Sequence, residues 1–589
     1  MEVDSSYLEG DTSSSLGEAS PEVGPVAPSS AFKLNLPPPI ETSSFSPSFG
    51  GVSGGYSTED DKGRARAENG FPELAELRGL ILDSIKSCTF KSAIFYANIL
   101  VTATENSPAD VFLLARAYFA NREFFRVLHL FNHNELMAPE VRRNIPPELS
   151  NDILLMAGRC YLATEQYEEC VKKLSPGLLD GAQSGESLSS KARGFKGKHA
   201  LILGKAYEAL DNRERAIECY KLTLENDIFC SEAFETLIDH HLLSASEEVM
   251  LLEQMQFTPE SAWLRDFYHS KILHQSNQLE INERFKVVEE SYGMKENSDV
   301  AVAKANCFLR QNEPARALEI TSSVRKRDPF HMGCVVIHIT ALVGLARKSD
   351  LFLIAHNLVD TYPDKAVSWF AVGGYYFTVK KFDAARRYFN KATTIEPQFA
   401  PAWIGFGIAF TAQDESDQAM AAYRTAARLF PGSHVPLLCT GMEFIRTNNL
   451  KLAEQLLLQS SKMCSSDPSV LNEIGVVKYK QGFYEESISF FKNALNLSKR
   501  ESATFLSNLG HAYRKIGNYD EAIRCYKRSI GIEPRQGDLY AALGLTYHLK
   551  GSFIKAIELY HQSLGLRPGN TFASTLLDKA LTHASFEVA

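Results

Sequence analysis

Six glycines fix what this chain can fold into: Gly373, Gly407, Gly441, Gly475, Gly510 and Gly544, spaced 34, 34, 34, 35 and 34 residues apart. The same letters return around each. Trp369, Val372, Gly373 and Tyr376 are followed by Ala385, Phe389 and Pro397. One step later the frame reads Trp403, Phe406, Gly407, Phe410, Ala419, Tyr423 and Pro431. Further on come Leu506, Leu509, Gly510, Tyr513, Ala522, Tyr526 and Pro534, then Tyr540, Leu543, Gly544, Tyr547, Ala556, Tyr560 and Pro568. Steps of three and four place the aromatic, the aliphatic–glycine pair and the second aromatic on one face of a helix. Glycine there lets a neighbouring helix approach closely, which outweighs its cost of about 1 kcal/mol inside a helix. The alanine does the same for a second helix, and the aromatic four residues on fills the gap. Each proline stands past that second helix, where it cannot continue it.

This is the tetratricopeptide pattern of antiparallel helix pairs. One pair cannot bury its apolar face, so pairs must stack. The expected fold is all-α, a right-handed superhelical solenoid whose concave groove is the place to look for function. A solenoid also accounts for 589 residues without a single oversized core.

Hydrophobic content of 44% and charged content of 23% suit a water-soluble repeat protein. The net charge of -9 argues against a nucleic-acid scaffold, which carries a basic stripe. Ten cysteines are scattered with no Cys-x-x-Cys pair, so they read as reduced thiols of a cytosolic or nuclear protein. No secretory signal stands at the N-terminus. The longest apolar run, around Val335 to Ala346, is too short to span a bilayer, so no membrane partner is expected.

Residues 1–70, rich in Ser, Gly, Pro and acidic side chains, are expected to be a disordered tail. Its Ser-Pro pairs at Ser20 and Ser46 are possible phosphorylation sites. Residues 71–300 read as an irregular N-terminal array. Its stripe of Leu74, Leu77, Ile81, Leu82 and Ile85 precedes a paired helix from Phe90 to Leu100. Degenerate frames follow at Ala157–Gly158–Tyr161 and at Leu203–Gly204–Tyr207, separated by a Ser/Gly-rich stretch, Ser175 to Gly197, expected to be a loop. Between Phe234 and Tyr292 the frame is hard to follow. Residues 301–570 form the regular array, and 571–589 a capping helix that sets Phe572, Leu576, Leu577, Ala580 and Leu581 against the last repeat.

No catalytic constellation is present: no Gly-x-Gly-x-x-Gly, P-loop, His-Glu-x-x-His or Gly-x-Ser-x-Gly. His240-His241, on the expected face of a first helix, has no further ligand at metal spacing. Lys295-Glu296-Asn297, at the end of an expected helix, matches a short degron by coincidence. The chain is expected to be no enzyme and to need no cofactor or metal. Asn472, Tyr479, Asn508, His511, Arg514 and His548 occupy first-helix positions not used for stacking and are the candidate groove residues. Amides and a guanidinium there suit the backbone of a bound peptide, and the aromatic suits an apolar side chain. The lysines needed for a carboxylate clamp of the co-chaperone kind do not fall at the required places. Trp369, Gly373, Tyr376, Trp403, Gly407, Gly441, Gly475, Gly510, Tyr513, Gly544 and Tyr547 are read as packing positions.

Pro401-Ala402-Trp403-Ile404 followed by Asp417-Gln418-Ala419-Met420-Ala421-Ala422-Tyr423 resembles the signature repeat of the cell-division-cycle 16 type family, subunit 6 of the anaphase-promoting complex. Ala384 to Tyr388, Asn448-Asn449 with Lys451 to Glu454, Asn508 to His511 and Asn570 to Phe572 add to it. The resemblance implies a non-catalytic scaffold of a cullin-type ubiquitin ligase acting in mitosis. It further implies an N-terminal homodimer, a small accessory subunit whose N-terminus lies in the groove, and stacking on related repeat subunits. A nuclear and cytoplasmic location, at the spindle in mitosis, goes with it. The alternative is a peptide-binding adaptor, a co-chaperone or trafficking-complex subunit, recoverable as a free monomer.

Overall fold

A computed structural model describes residues 73–179, 190–272, 283–310, 313–465, 467–498 and 501–588. The tail with Ser20 and Ser46 lies outside the described residues. From Leu74 onward the chain is one compact unit. Its described residues are helices joined by short turns, with no strand among them. The regular pairs run from Ser298–Arg310 with Pro314–Arg327 to Gly537–Leu549 with Phe553–Leu566, and Thr571–Val588 closes the array.

From Gly373 onward, the frame glycine of each first helix faces a ring or a leucine sixteen positions later, on the partner helix. A Cβ on Gly373 would meet the Phe389 ring at 2.6 Å, one on Gly475 the Phe491 ring at 2.6 Å, and one on Gly510 the Tyr526 ring at 2.9 Å. Gly407 and Tyr423 stand closer still, while Gly441 meets Leu457 and Gly544 meets Tyr560, each at 2.8 Å. Gly158 with Leu174 and Gly204 with Tyr220 repeat the arrangement in the irregular half. The leading aromatic has a second use. Nε1 of Trp369 donates to the Pro363 carbonyl at 2.7 Å, Nε1 of Trp403 to Pro397 at 2.9 Å, and the Tyr540 hydroxyl to Pro534 at 3.0 Å. The proline that ends one pair is thereby tied to the start of the next. Trp369 also stacks on Tyr388, which stacks on Tyr376. Tyr513 and Tyr547 lie under lysine ammonium groups, Lys492 over the first and Lys527 and Lys555 over the second.

From Ala346 onward the turn inside each pair is equally regular. Ala346, Lys380, Asp414, Asn448, Gly482, Gly517 and Gly551 all have left-handed backbone, with φ of 52, 65, 61, 59, 91, 88 and 84°. In each case the following amide donates back to a carbonyl five residues earlier, as from Lys381 to Tyr376 at 2.9 Å and from Phe483 to Lys478 at 3.0 Å. That is the Schellman closure of a helix end.

Four expectations require correction. The Ser175–Gly197 stretch is not simply a loop, since helices Tyr167–Leu179 and Ser190–Ala209 enter it from both sides. Gly197 serves close approach there: its Cβ would lie 3.3 Å from the Thr223 carbonyl, just as one on Gly537 would lie 3.1 Å from that of Ser563. Glycine read as a breaker is here a contact. His240 and His241 follow the Ser231–Asp239 helix instead of lying on its face, and His241 has a φ of 48°. Lys295 and Glu296 form a turn before the Ser298–Arg310 helix, where the Asn297 side chain accepts the Asp299 and Val300 amides. On the last helix Ala573, Leu577 and Ala580 are buried, whereas Phe572 and Leu581 are 56% and 48% exposed. The small residues fit against Tyr560, and the packed face is turned accordingly.

Candidate functional site

The centre of the candidate groove is the helix Pro468–Gln481. Pro468 stands at its first position, and the Asp467 side chain accepts the Ser469 amide at 2.8 Å. Burial opposes the Asp467 charge, but His434 at 2.9 Å and the cap hold its carboxyl below the usual range. Asn472 is buried. Its Oδ1 accepts from Nδ2 of Asn508 at 3.1 Å, and its own Nδ2 donates to Glu473 Oε1 at 3.0 Å. The two asparagines bridge adjacent first helices, so Asn472 carries less free hydrogen-bonding capacity than its position on the helix suggests. Glu473 is buried beside it, and burial pushes its carboxyl up to about 7 against the opposing hydrogen bond from Asn472. Tyr479 is half-buried, edge-on to Tyr484.

The next two first helices supply the other candidates. Burial, then Arg514 and Lys515, bring the His511 imidazole down to about 3. His511 is therefore neutral, and its Nδ1 is hydrogen-bonded to the Tyr526 hydroxyl at 2.7 Å. Nη2 of Arg514 lies 3.4 Å from the same nitrogen, and no carboxylate pairs with Arg514 among the described residues. Nε2 of His548 lies 3.3 Å from Nδ1 of His583 on the closing helix. Nδ1 of His548 and the Tyr560 hydroxyl are buried without a hydrogen-bond partner among the described residues. The Arg514 guanidinium, in the preceding repeat, acts electrostatically on the Tyr560 hydroxyl.

Sequence reasoning missed Glu473 and Glu443. Glu443 is buried and accepts Nε and Nη2 of Arg446 at 3.1 and 3.0 Å. The available signal was a carboxylate set within an apolar first helix, where burial demands a partner. The chemistry of the surface is that of hydrogen bonding. Burial pushes Cys160, Cys170, Cys307 and Cys439 up to about 12, which leaves no reactive thiolate among them. Among the described residues no group of three His, Cys, Asp or Glu could hold a metal ion.

Comparison with known proteins agrees with this geometry. Two tetratricopeptide-repeat family models match residues 373–434 and, twice, 467–535 and 501–569. The model of anaphase-promoting complex (cyclosome) subunit 3 matches residues 86–176. The chain is 37% identical over 536 residues to anaphase-promoting complex subunit 6 of Arabidopsis thaliana, covering 86% of this chain and 96% of that one. It is 34% identical to the cell division cycle protein 16 homolog of Homo sapiens, covering 80% of this chain and 78% of that one. With the Schizosaccharomyces pombe subunit cut9 the identity is 33%, covering 85% and 75%. A crystal structure of the hetero-tetramer Cut9–Hcn1 superposes with a TM-score of 0.72 at 32% identity, covering 86% of this chain and 96% of that chain.

Proposed function

The chain belongs to the family of anaphase-promoting complex subunit 6, and on that premise we propose that it works as a scaffold subunit of that ubiquitin ligase in mitotic progression. It is not an enzyme. One observation carries the reading: from Leu74 to Val588 the described residues are spent on stacked helices that contact their neighbours, which is the construction of a surface that holds other chains. Its partners are other subunits of the complex.

The finer reading assigns the N-terminal array to homodimer formation and the groove to the N-terminal segment of a small accessory subunit. A relative crystallised as a Cut9–Hcn1 hetero-tetramer supports this, since four chains of two kinds accommodate two such scaffolds, each with a second chain. Arg514, half-buried and without a carboxylate partner among the described residues, is a group with hydrogen-bonding capacity to offer a bound peptide. The reading extends to a nuclear and cytoplasmic protein.

Affinity purification of the tagged chain from mitotic cells, with mass spectrometry and size exclusion of the eluate, tests it. A large particle containing cullin-like, RING and sister repeat subunits is the expected result. Recovery as a free monomer, or with chaperones, would overturn it in favour of a peptide-binding adaptor.

A further inference from the structure

One contact of this chain joins residues far beyond neighbouring repeats. The amide of Gly432 donates to the carbonyl of His241 at 2.8 Å. Gly432 has no room for a side chain, because a Cβ there would run into the carbonyl oxygen of Leu243 and come within 2.8 Å of that of His241. One repeat element earlier, Arg428 pairs with Asp211, 217 residues away. The 211–243 segment of the irregular array therefore lies directly against the 428–432 segment of the regular one. Nearest-neighbour stacking alone produces no such meeting. It requires the superhelix to come round on itself with its backbones touching.

Two residues beyond Gly432, the chain turns into the groove. His434 bonds Asp467 through Nε2, and Asp467 caps the helix that carries Asn472, Glu473 and Tyr479. The His434 carbonyl also accepts the Ser460 hydroxyl at 3.2 Å. A path thus runs from the His241 carbonyl by a hydrogen bond to Gly432, along the backbone through Ser433 to His434, and by hydrogen bonds through Asp467 to the first turn of the central groove helix. We infer that the Gly432–His241 contact, with the Arg428–Asp211 pair, is a latch that fixes the spacing of the superhelical turn and so positions the Pro468–Gln481 helix for its ligand. Gly432, Arg428 and Asp211 are positioning residues that act through His434 and Asp467. Occupancy of the groove and closure of the turn are then linked equilibria, each favouring the other.

The test is amide hydrogen exchange on the full chain. Gly432→Ala places a methyl against the Leu243 carbonyl and should open the latch. Exchange should quicken about three- to tenfold, the range set by losing one net hydrogen bond, in residues 231–243 and in the Pro468–Gln481 helix. The Tyr519–Ile532 helix, in the next repeat, should not change. Arg428→Glu, an exposed change that leaves the packing intact, should act in the same direction, and Arg428→Glu with Asp211→Arg should restore the original rates. Unchanged exchange in the Pro468–Gln481 helix in both single variants would overturn the inference. So would acceleration spread evenly along the whole array, or a double variant no better than Arg428→Glu.

Discussion

Gly407 packs hardest against its neighbour of all the frame glycines, with the Tyr423 ring filling the place of its missing Cβ. Gly407→Val should therefore cost about 1–3 kcal/mol through overpacking. Thermal denaturation would show the loss, and Gly407→Val with Tyr423→Leu should recover part of it by making room. An unchanged melting curve for the single variant would contradict the packing account. This class of residue was legible in the sequence because its cause is local and repeated: glycine followed at +16 by a ring or leucine. Asn472 was less legible. Its helical position suggests an exposed amide, but the 35-residue step between Gly475 and Gly510 sets Asn508 one place nearer its glycine than Asn472. The two side chains meet across the repeat boundary. Spacing along one helix cannot reveal a partner on the next.

At the scale of the element, the turns divide into two groups. Gly482, Gly517 and Gly551 adopt the left-handed conformation freely, whereas Ala346 and Lys380 hold it against their Cβ atoms. The penalty for a non-glycine residue there is about 1–2 kcal/mol. Ala346→Gly should accordingly raise stability by about 0.5–1 kcal/mol once the added freedom of the unfolded chain is subtracted. Gly482→Ala should lower it by about 1 kcal/mol. Urea midpoints of the two variants check both signs. The helices themselves were largely legible from their period, the closing helix Thr571–Val588 included. Its buried face was misjudged because large apolar residues were expected inside. Leu577 and Ala580 do pack against Tyr560, but the buried face continues through Ala573 and leaves Phe572 and Leu581 in solvent. Ser190–Gly197 failed for a related reason. Glycine means a break in one setting and a close helix crossing in another, and only the neighbouring Thr223 carbonyl distinguishes them.

The whole molecule has a pH response that no one repeat determines. Burial, aided in each case by a nearby arginine, brings His199 and His338 down to about 4 and His241 and His511 down to about 3. Each stays neutral in the fold while its unfolded counterpart takes a proton. Their contribution is therefore complete above about pH 6.5 and is lost as the pH falls toward these values. Glu248 and Glu473, pushed up to about 7 by burial, act in the opposite sense, since their contribution is lost as the pH rises from the ordinary carboxylate range to about 7. His269 and His548, also lowered by burial, join the four, and Asp152, Asp239 and His240, all raised, join the two; with six groups against five, the melting temperature should be lower at about pH 5 than at about pH 7.5. His511→Asn should narrow that difference; a variant with the same difference would contradict the account. None of this was legible beforehand, because burial of a histidine depends on what the next turn brings against it.

The contact between Gly432 and His241 gives the array a mechanical character. A coil whose turns already touch cannot shorten: backbone meets backbone, and the resistance is steric and steep. Opening of the contact itself is opposed by one amide-to-carbonyl hydrogen bond and one exposed ion pair, besides the packing of each repeat on the next. A force pressing along the axis is therefore borne more stiffly than a pull, which meets only the softer packing between repeats and the two polar contacts. For a chain built to hold others at fixed positions, the load it withstands best is compression.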